Sequence, residues 1–447
     1  MEIFREYDIR GIYGKDVDES IMENIGKAIA IFVRKNDISG PVAVGNDVRS
    51  SSPLLSRALI KGITTQGVGV INVRTTSFGV CLFSGWKLKA SMTAFVTASH
   101  LPPEWNGLKM YTGEGIAISP AAIKGIIDSD ENIDVEYEGS VEYADLKRDY
   151  IEFLNSKFAI DKEIKIAVDC GNGSMSLVAP ELFEALGFDT TRVYCNVDPS
   201  SPNRPNDPAP NNIGTLIKTV KDKKLDFGVA FDGDGDRAAL VDGKGRVLTG
   251  NEIGILLGRQ ILKNKNGKAV ITIACSSALE KELKKQDAEV IKVPVGHTFV
   301  ISKCKDENAL LGVEESGHIV LSEYFAFDDA MLIPLKIAEI IAGTNKSLAY
   351  HYDSMIKYPF EDIVFPCPDD MKFTIVQDLL NEFREMYDRV SDMDGVRLDF
   401  DDGWILIRAS NTSPKIRLYV EATTTERFED LKKTFTQILK DKLGEKA

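Results

Sequence analysis

At 447 residues, with 68 Asp and Glu against 54 Lys and Arg and a formal net charge of -14, the chain is long enough for several hydrophobic cores. It is also too acidic to bind nucleic acid through a basic face. Six cysteines without a C-x-x-C pair, an opening MEIFREYDIRG without an apolar leader, and no run approaching a membrane span argue for reduced thiols, a cytoplasmic setting and no membrane partner.

Behind YDIRGIYG, Ser20 and Glu23 have capping-box spacing, and Ile21, Ile25, Ala28, Ile29 and Phe32 recur at helical intervals, which predicts a first helix. Residues 41–73 read as apolar run, polar loop, amphipathic segment, glycine stop and apolar run, a strand–helix–strand unit. The same grammar returns at 164–194 and at 267–293. Three copies at roughly hundred-residue intervals predict three related α/β domains with mostly parallel, helix-covered sheets. Residues 200–212, SSPNRPNDPAPNN, are too rich in proline and asparagine for either element and predict an ordered surface loop. From Trp404 the pattern changes to strand, loop, strand: Ile416, Leu418 and Val420 alternate with Arg417, Tyr419 and Glu421, and a helix with Phe428, Leu431, Phe435 and Ile438 on one face closes the chain. That predicts a smaller α+β domain.

The chemistry concentrates at LDFGVAFDGDGDR, residues 225–237. A buried strand over Phe227–Phe231 opens into Asp232, Asp234 and Asp236, separated only by glycines that let the backbone turn tightly. Three carboxylates so close repel one another unless a hard cation sits among them. Mg²⁺ fits best, because it leaves coordination sites open for a phosphate oxygen. An EF-hand is excluded, since its sixth and twelfth positions would be glycine and glutamate and here are Arg237 and Gly243.

Four other segments carry reactive side chains. In VTASHLPPEWNGLK, Ser99 stands beside His100 before two prolines, on a turn expected to be tight and exposed, where the serine is a candidate nucleophile. VPVGHTFV and GVEESGHI place His297 and His318 in glycine-rich turns, which favours proton transfer or phosphate contact over core packing. Glu314 and Ser316 suit sugar hydroxyls. RASNTSPKIR offers the planar fork of Arg408 and the short donors Ser410, Asn411 and Thr412 as an anion nest. A cation loop, a serine, loop histidines and an anion nest together point to phosphoryl transfer on a phosphorylated, hydroxyl-rich ligand.

These blocks resemble, in order, those of the α-D-phosphohexomutases, especially the phosphomannomutase/phosphoglucomutase type: TASHLPP the phosphoserine loop, DGDGDR the metal loop, GVEESGH the sugar-binding loop and RASNTSPKIR the phosphate-binding loop. The resemblance runs from Tyr7 to Glu421 and implies four domains around a central cleft, placed at 1–142, 143–246, 247–354 and 355–447. It implies a phosphotransferase isomerase that interconverts hexose 1-phosphate and 6-phosphate, of glucose or mannose, with glucosamine phosphate as the alternative and a non-catalytic sugar-phosphate binder as the reading from another class. Ser99 would be phosphorylated, hexose 1,6-bisphosphate would be the intermediate and activator, and Mg²⁺ would lie on Asp232, Asp234, Asp236 and a phosphoserine oxygen. Arg10, His100, Lys109, Arg237 and His297 would steer protons and steady the transferring group. Glu314, Ser316 and His318 would read the sugar, and Arg408, Ser410, Asn411, Thr412 and Arg417 would clamp the distal phosphate. The chain departs from the family pattern at Leu101, where an asparagine usually follows the histidine, so an amide that would brace the nucleophile turn is missing.

Overall fold

Val42–Asn46 and Met92–Val96 are buried along their whole length, as apolar strands covered on both faces must be. They are the parallel centre of a six-stranded sheet ordered Ile9–Ile12, Trp105–Thr112, Met92–Val96, Val42–Asn46, Val70–Thr75, Val141–Tyr143. Trp105–Thr112 runs antiparallel to both its neighbours. The structure is a computed structural model that describes residues 3–129, 135, 137–411 and 413–445.

The two later strand–helix–strand units build sheets of the same kind. Lys165–Asp169 pairs in parallel with Asp189–Val193 on one side and Phe227–Phe231 on the other, and Ala238–Asp242 and Val247–Leu248 extend this sheet antiparallel. Lys268–Thr272 pairs in parallel with Glu289–Val293 and Leu311–Val313, and Ile319–Leu321 closes the edge as an antiparallel hairpin. The last sheet, ordered Phe360–Pro366, Lys415–Ala422, Gly403–Ala409, Val396–Asp399, Val390–Ser391, is antiparallel throughout. The helices Asp369–Met386 and Thr425–Glu445 accompany it. The fold is therefore four-part α/β, with three mixed sheets and a smaller α+β unit. Among the described residues no helix is long and apolar enough to cross a membrane.

One continuous apolar core runs from Phe78 and Phe83 through Phe183 and Phe231 to Ile340, so the first three sheets are welded together. The last sheet has its own core, built on Ile375, Leu379, Ile405, Leu418 and Phe435. It meets the third unit through a small cluster in which Trp404, Leu406 and Tyr419 pack on Ile273, Ala274 and Val295. That contact also covers part of the alternate face of Lys415–Ala422. Tyr419 and Glu421 are buried, and Glu421 accepts the Ser277 amide (2.9 Å) and the Trp404 indole N–H (2.7 Å).

Two expectations change. The first helix, Glu19–Lys35, is capped by Asp18, whose carboxylate accepts the Ile21 amide at 2.8 Å, and Glu23 turns outward to Lys61. A carboxylate two residues earlier wins because it satisfies an end amide and also meets the positive end of the helix dipole. Residues 200–212 form loop and a short 3₁₀ turn, as composition predicts, but they are not simply a surface segment. Arg204 is buried, bonded to Asp169 Oδ1 (2.9 Å) and to the Phe231 carbonyl (2.6 Å).

Candidate active site

Strands from all four units end at one cleft, the position at which open α/β sheets hold their ligands. Met92–Val96 leads to Ser99, Phe227–Phe231 to the three aspartates, Leu311–Val313 to Glu314, and Gly403–Ala409 to Ser410. Arg10, His100, Arg237, His297, Glu314, Ser316, His318, Arg408, Ser410, Asn411 and Arg417 line a cavity of about 750 Å³.

Ser99 is not on an exposed turn as the sequence suggested; it is fully buried, because the acid loop closes over it. Its backbone sits at φ +52°, in the left-handed region that a serine adopts at a cost of about 1 kcal/mol. The surroundings enforce it. The Ser99 amide donates to Thr97 Oγ1 (2.8 Å), and the Arg49 guanidinium donates to the carbonyls of Ser99 (2.8 Å), Leu101 (2.7 Å) and Trp105 (3.1 Å) while pairing with Asp47. Leu101 therefore costs the turn nothing visible: its carbonyl also accepts Asn206 Nδ2 at 3.1 Å, so a brace arrives from the neighbouring unit. Arg49→Ala should lower stability by about 3–5 kcal/mol, because it strands a buried Asp47 and several buried carbonyls. Chemical denaturation checks this, and an unchanged midpoint would show that the turn holds itself.

The acid loop is organised by its first member. Asp232 Oδ1 accepts the amides of Gly235 (2.9 Å), Asp236 (3.0 Å) and Arg237 (3.2 Å), and Asp232 Oδ2 accepts the Ser99 hydroxyl at 2.7 Å. The glycines are required. A Cβ at Gly233 would lie 2.5 Å from the Ser99 carbonyl, and Gly235, at φ +87°, has Met175 Sδ against it. Lys109 Nζ pairs with Asp234 Oδ2 (3.0 Å) and with Asp236 Oδ2. Burial pushes the Asp232 carboxyl well above its ordinary range, whereas Lys109 overcomes the same burial at Asp236 and holds it well below.

One ligand atom from each aspartate lies within 4.8 Å of the others, and Asp234 Oδ1 and Asp236 Oδ1 are buried without a hydrogen-bond partner. Buried carboxylate oxygens of that kind are costly unless an ion meets them, so the residues fit a divalent cation.

Above this floor, Arg237 Nε donates to His318 Nε2 (2.8 Å), and His318 Nδ1 meets Asp328 Oδ2 at 2.6 Å. Arginine can only donate, so His318 carries its proton on Nδ1, toward Asp328, and keeps Nε2 as an acceptor. The His297 ring stacks on His318 at 4.6 Å, and burial pushes the His297 pKa down to about 4. Burial likewise drives His100 well below the usual histidine range. Ser316 Oγ donates to Glu314 Oε1 (2.6 Å), and Glu314 Oε2 is buried without a partner. Arg10 pairs with Asp8 (2.6 Å), with its Nη1 also unpartnered.

On the far wall, Asp394 orients Arg408 (2.8 Å) and Asp362 orients Arg417 (3.0 Å). Lys372 braces the last loop from beneath through the carbonyls of Ser410 and Ser413. Asn411 Nδ2 donates to Tyr7 Oη (2.9 Å), which ties that loop to the first unit. Thr412 lies outside the described residues. Sequence reasoning missed Tyr7, Asp47, Arg49, Glu315, Asp328 and Lys372. Glu315 alone carried a local signal, since it stands inside GVEESGH.

Four sheets around one cleft, with a buried serine facing an acid triad and arginines on the opposite wall, define a multidomain α/β protein built around an anionic ligand and a cation. The chain matches the family models described as phosphoglucomutase/phosphomannomutase alpha/beta/alpha domain I over residues 1–136, domain II over 148–245 and domain III over 249–358, and the C-terminal domain over 363–438. It is 33% identical to phosphomannomutase/phosphoglucomutase of Pseudomonas aeruginosa across 98% of this chain and 95% of that one. It is 30% identical to a probable phosphoglucosamine mutase of Methanopyrus kandleri across 97% and 96%. A crystal structure of a phosphoglucomutase/phosphomannomutase family protein from Burkholderia thailandensis superposes with a TM-score of 0.89 at 28% identity, covering 99% of this chain and 97% of that one. The chain belongs to the phosphoglucomutase/phosphomannomutase family of α-D-phosphohexomutases.

Proposed function

We propose that the protein is a Mg²⁺-dependent phosphohexomutase that interconverts hexose 1-phosphate and hexose 6-phosphate, with glucose and mannose phosphates as leading substrates. The observation that carries this reading is Ser99 Oγ held at 2.7 Å from Asp232 Oδ2, at the head of the acid triad and beneath the cleft. The four units are assigned to residues 1–142, 143–246, 247–354 and 355–447, and the setting to the cytoplasm, where six free thiols are stable.

Asp232, Asp234 and Asp236, with an oxygen of phosphorylated Ser99, would hold Mg²⁺, which when bound neutralises charge on the group being transferred. The chain's own residues do the rest. Arg408, Ser410, Asn411, Thr412 and Arg417 clamp the distal phosphate, while Glu314 and Ser316 accept and donate to ring hydroxyls. The free sugar hydroxyl attacks the phosphorus on Ser99, the P–Oγ bond breaks, and the hydroxyl proton ends on the departing Ser99 Oγ, the hydroxyl that donates to Asp232 Oδ2. Arg10, Arg237 and Lys109 meet the developing charge, and His100 and His297 shape the wall around it. The hexose 1,6-bisphosphate then turns end for end and returns its other phosphoryl group to Ser99. Free bisphosphate restores any Ser99 that has lost its phosphoryl group.

The sugar loop favours a second reading, a phosphoglucosamine mutase, because Glu314 and Glu315 put two adjacent carboxyl groups where a sugar ammonium would bind. A coupled assay with Mg²⁺ and a trace of hexose 1,6-bisphosphate separates the two. Conversion of glucose and mannose 1-phosphates supports the first reading, preference for glucosamine 1-phosphate supports the second, and no isomerisation of any refutes both.

Glu315 also sets a pH dependence. Burial, then its neighbour Glu314, pushes its carboxyl up to about 7, and it faces the cleft near Arg417 and Arg408. Below pH 7 it is neutral; above, its charge competes with substrate phosphate for those arginines. KM for the sugar phosphate should therefore rise about threefold to tenfold from pH 6 to pH 8, and Glu315→Gln should flatten the rise. Parallel KM profiles for the two proteins would remove Glu315 from the clamp.

A further inference from the structure

Beside the acid loop, at residues that do not line the cleft, two thiols touch. Cys170 Sγ and Cys195 Sγ lie 3.3 Å apart, at the ends of the paired strands Lys165–Asp169 and Asp189–Val193. Cys170 is fully buried and Cys195 is partly open to solvent. Their contact makes the pair unequal: the Cys170 thiol holds Cys195 below the usual thiol range, whereas burial pushes Cys170 above it. Cys275 and Cys304, by contrast, are pushed up to about 12 by burial and are poor nucleophiles.

The turn that begins at Cys170 is the support of the acid loop. The Ser174 amide donates to the Gly233 carbonyl (2.9 Å), and Met175 packs on Gly235. Arg204, stacked on Gly171, bonds both Asp169 and the Phe231 carbonyl immediately before Asp232. A displacement at Cys170 therefore has three routes to the aspartates.

We infer that Cys170 and Cys195 form an oxidisable dithiol, a modification site for peroxides, and that closing it into a disulfide disorders the Asp232–Asp236 loop and slows the enzyme. The effect on rate rests on the proposed function of that loop; the disulfide itself does not. The Cys195 thiolate attacks one peroxide oxygen, the O–O bond breaks and water leaves, giving a sulfenic acid. Cys170 then attacks that sulfur, the S–O bond breaks and a second water leaves. Two thiols lose two electrons and two protons, and one hydrogen peroxide becomes two waters. Shortening the contact from 3.3 Å to a bond of about 2.05 Å draws the turn by roughly 1 Å.

The test treats the reduced full-length protein with hydrogen peroxide, blocks remaining thiols, and maps peptides without reduction while mutase rate is followed. A peptide linked through Cys170 and Cys195 is expected, with a rate loss of tenfold or more that dithiothreitol reverses. Cys195→Ser should form no link and keep its rate. Both thiols found free or singly oxidised would overturn the dithiol, and a linked peptide with undiminished rate would overturn its coupling to the loop. A reduced protein without mutase rate tells against the proposed function, and the linked peptide still decides the dithiol.

Discussion

Ser99→Ala is expected to lower mutase turnover by about four orders of magnitude or more while hexose-phosphate binding stays within about threefold. The asymmetry follows from where the serine sits. Ser99 Oγ makes one side-chain bond, to Asp232, and is buried beneath the cleft rather than in its wall. The groups that would clamp a sugar phosphate, Arg408 and Arg417, are held by Asp394 and Asp362 in another unit and owe nothing to Ser99. Turnover and calorimetric binding measured on one preparation decide the matter. Loss of binding along with turnover would make Ser99 a structural residue of the turn, whose left-handed backbone alanine tolerates less well than glycine.

Asp234→Asn should reduce the Mg²⁺-dependent rate by about three orders of magnitude and, in the metal-free protein, raise stability. Both effects have one cause. Asp232, Asp234 and Asp236 repel one another, and Lys109 is the ammonium that pairs with two of them. An amide of the same shape keeps the loop, because the Asp234 backbone carbonyl still accepts the Phe78 amide (2.9 Å), but removes charge and a ligand that a cation needs. Rate against Mg²⁺ concentration and denaturation without metal give the two numbers. An undiminished rate would sink the metal assignment, and a less stable metal-free variant would show that Asp234 serves the fold through its charge.

Much of this was legible in the chain. Phe227–Phe231 announced itself as an apolar run stopped by acids, and the three strand–helix–strand units followed from glycine and turn punctuation that acts over a few residues. The glycines of the acid loop were legible as turn formers, but the reason for Gly233, the close approach of the Ser99 carbonyl, lies 134 positions away and needs the fold. Arg49 and Asp328 were invisible for the same reason. Arg49 acts on carbonyls of the Ser99 turn, and Asp328 acts on a histidine that in turn acts on Arg237. Nothing in NDVRSSS or AFDDAM encodes those partners locally. A proline-rich polar turn is usually exposed, and the sequence predicts as much for Ser99; here a second unit closes over it, and turn chemistry says nothing about what lies opposite. The burial of Tyr419 and Glu421 was hidden in the same way, since alternation marks two faces of a strand and cannot tell water from a neighbouring sheet.

The most direct test is to incubate the purified protein with hexose 1,6-bisphosphate and Mg²⁺, map the phosphorylated peptide, remove the bisphosphate, and add hexose 1-phosphate. Phosphate found on Ser99 and then chased into sugar bisphosphate is the predicted result. Phosphate on another residue, or on Ser99 but inert to the sugar, would contradict a mutase that works through this serine.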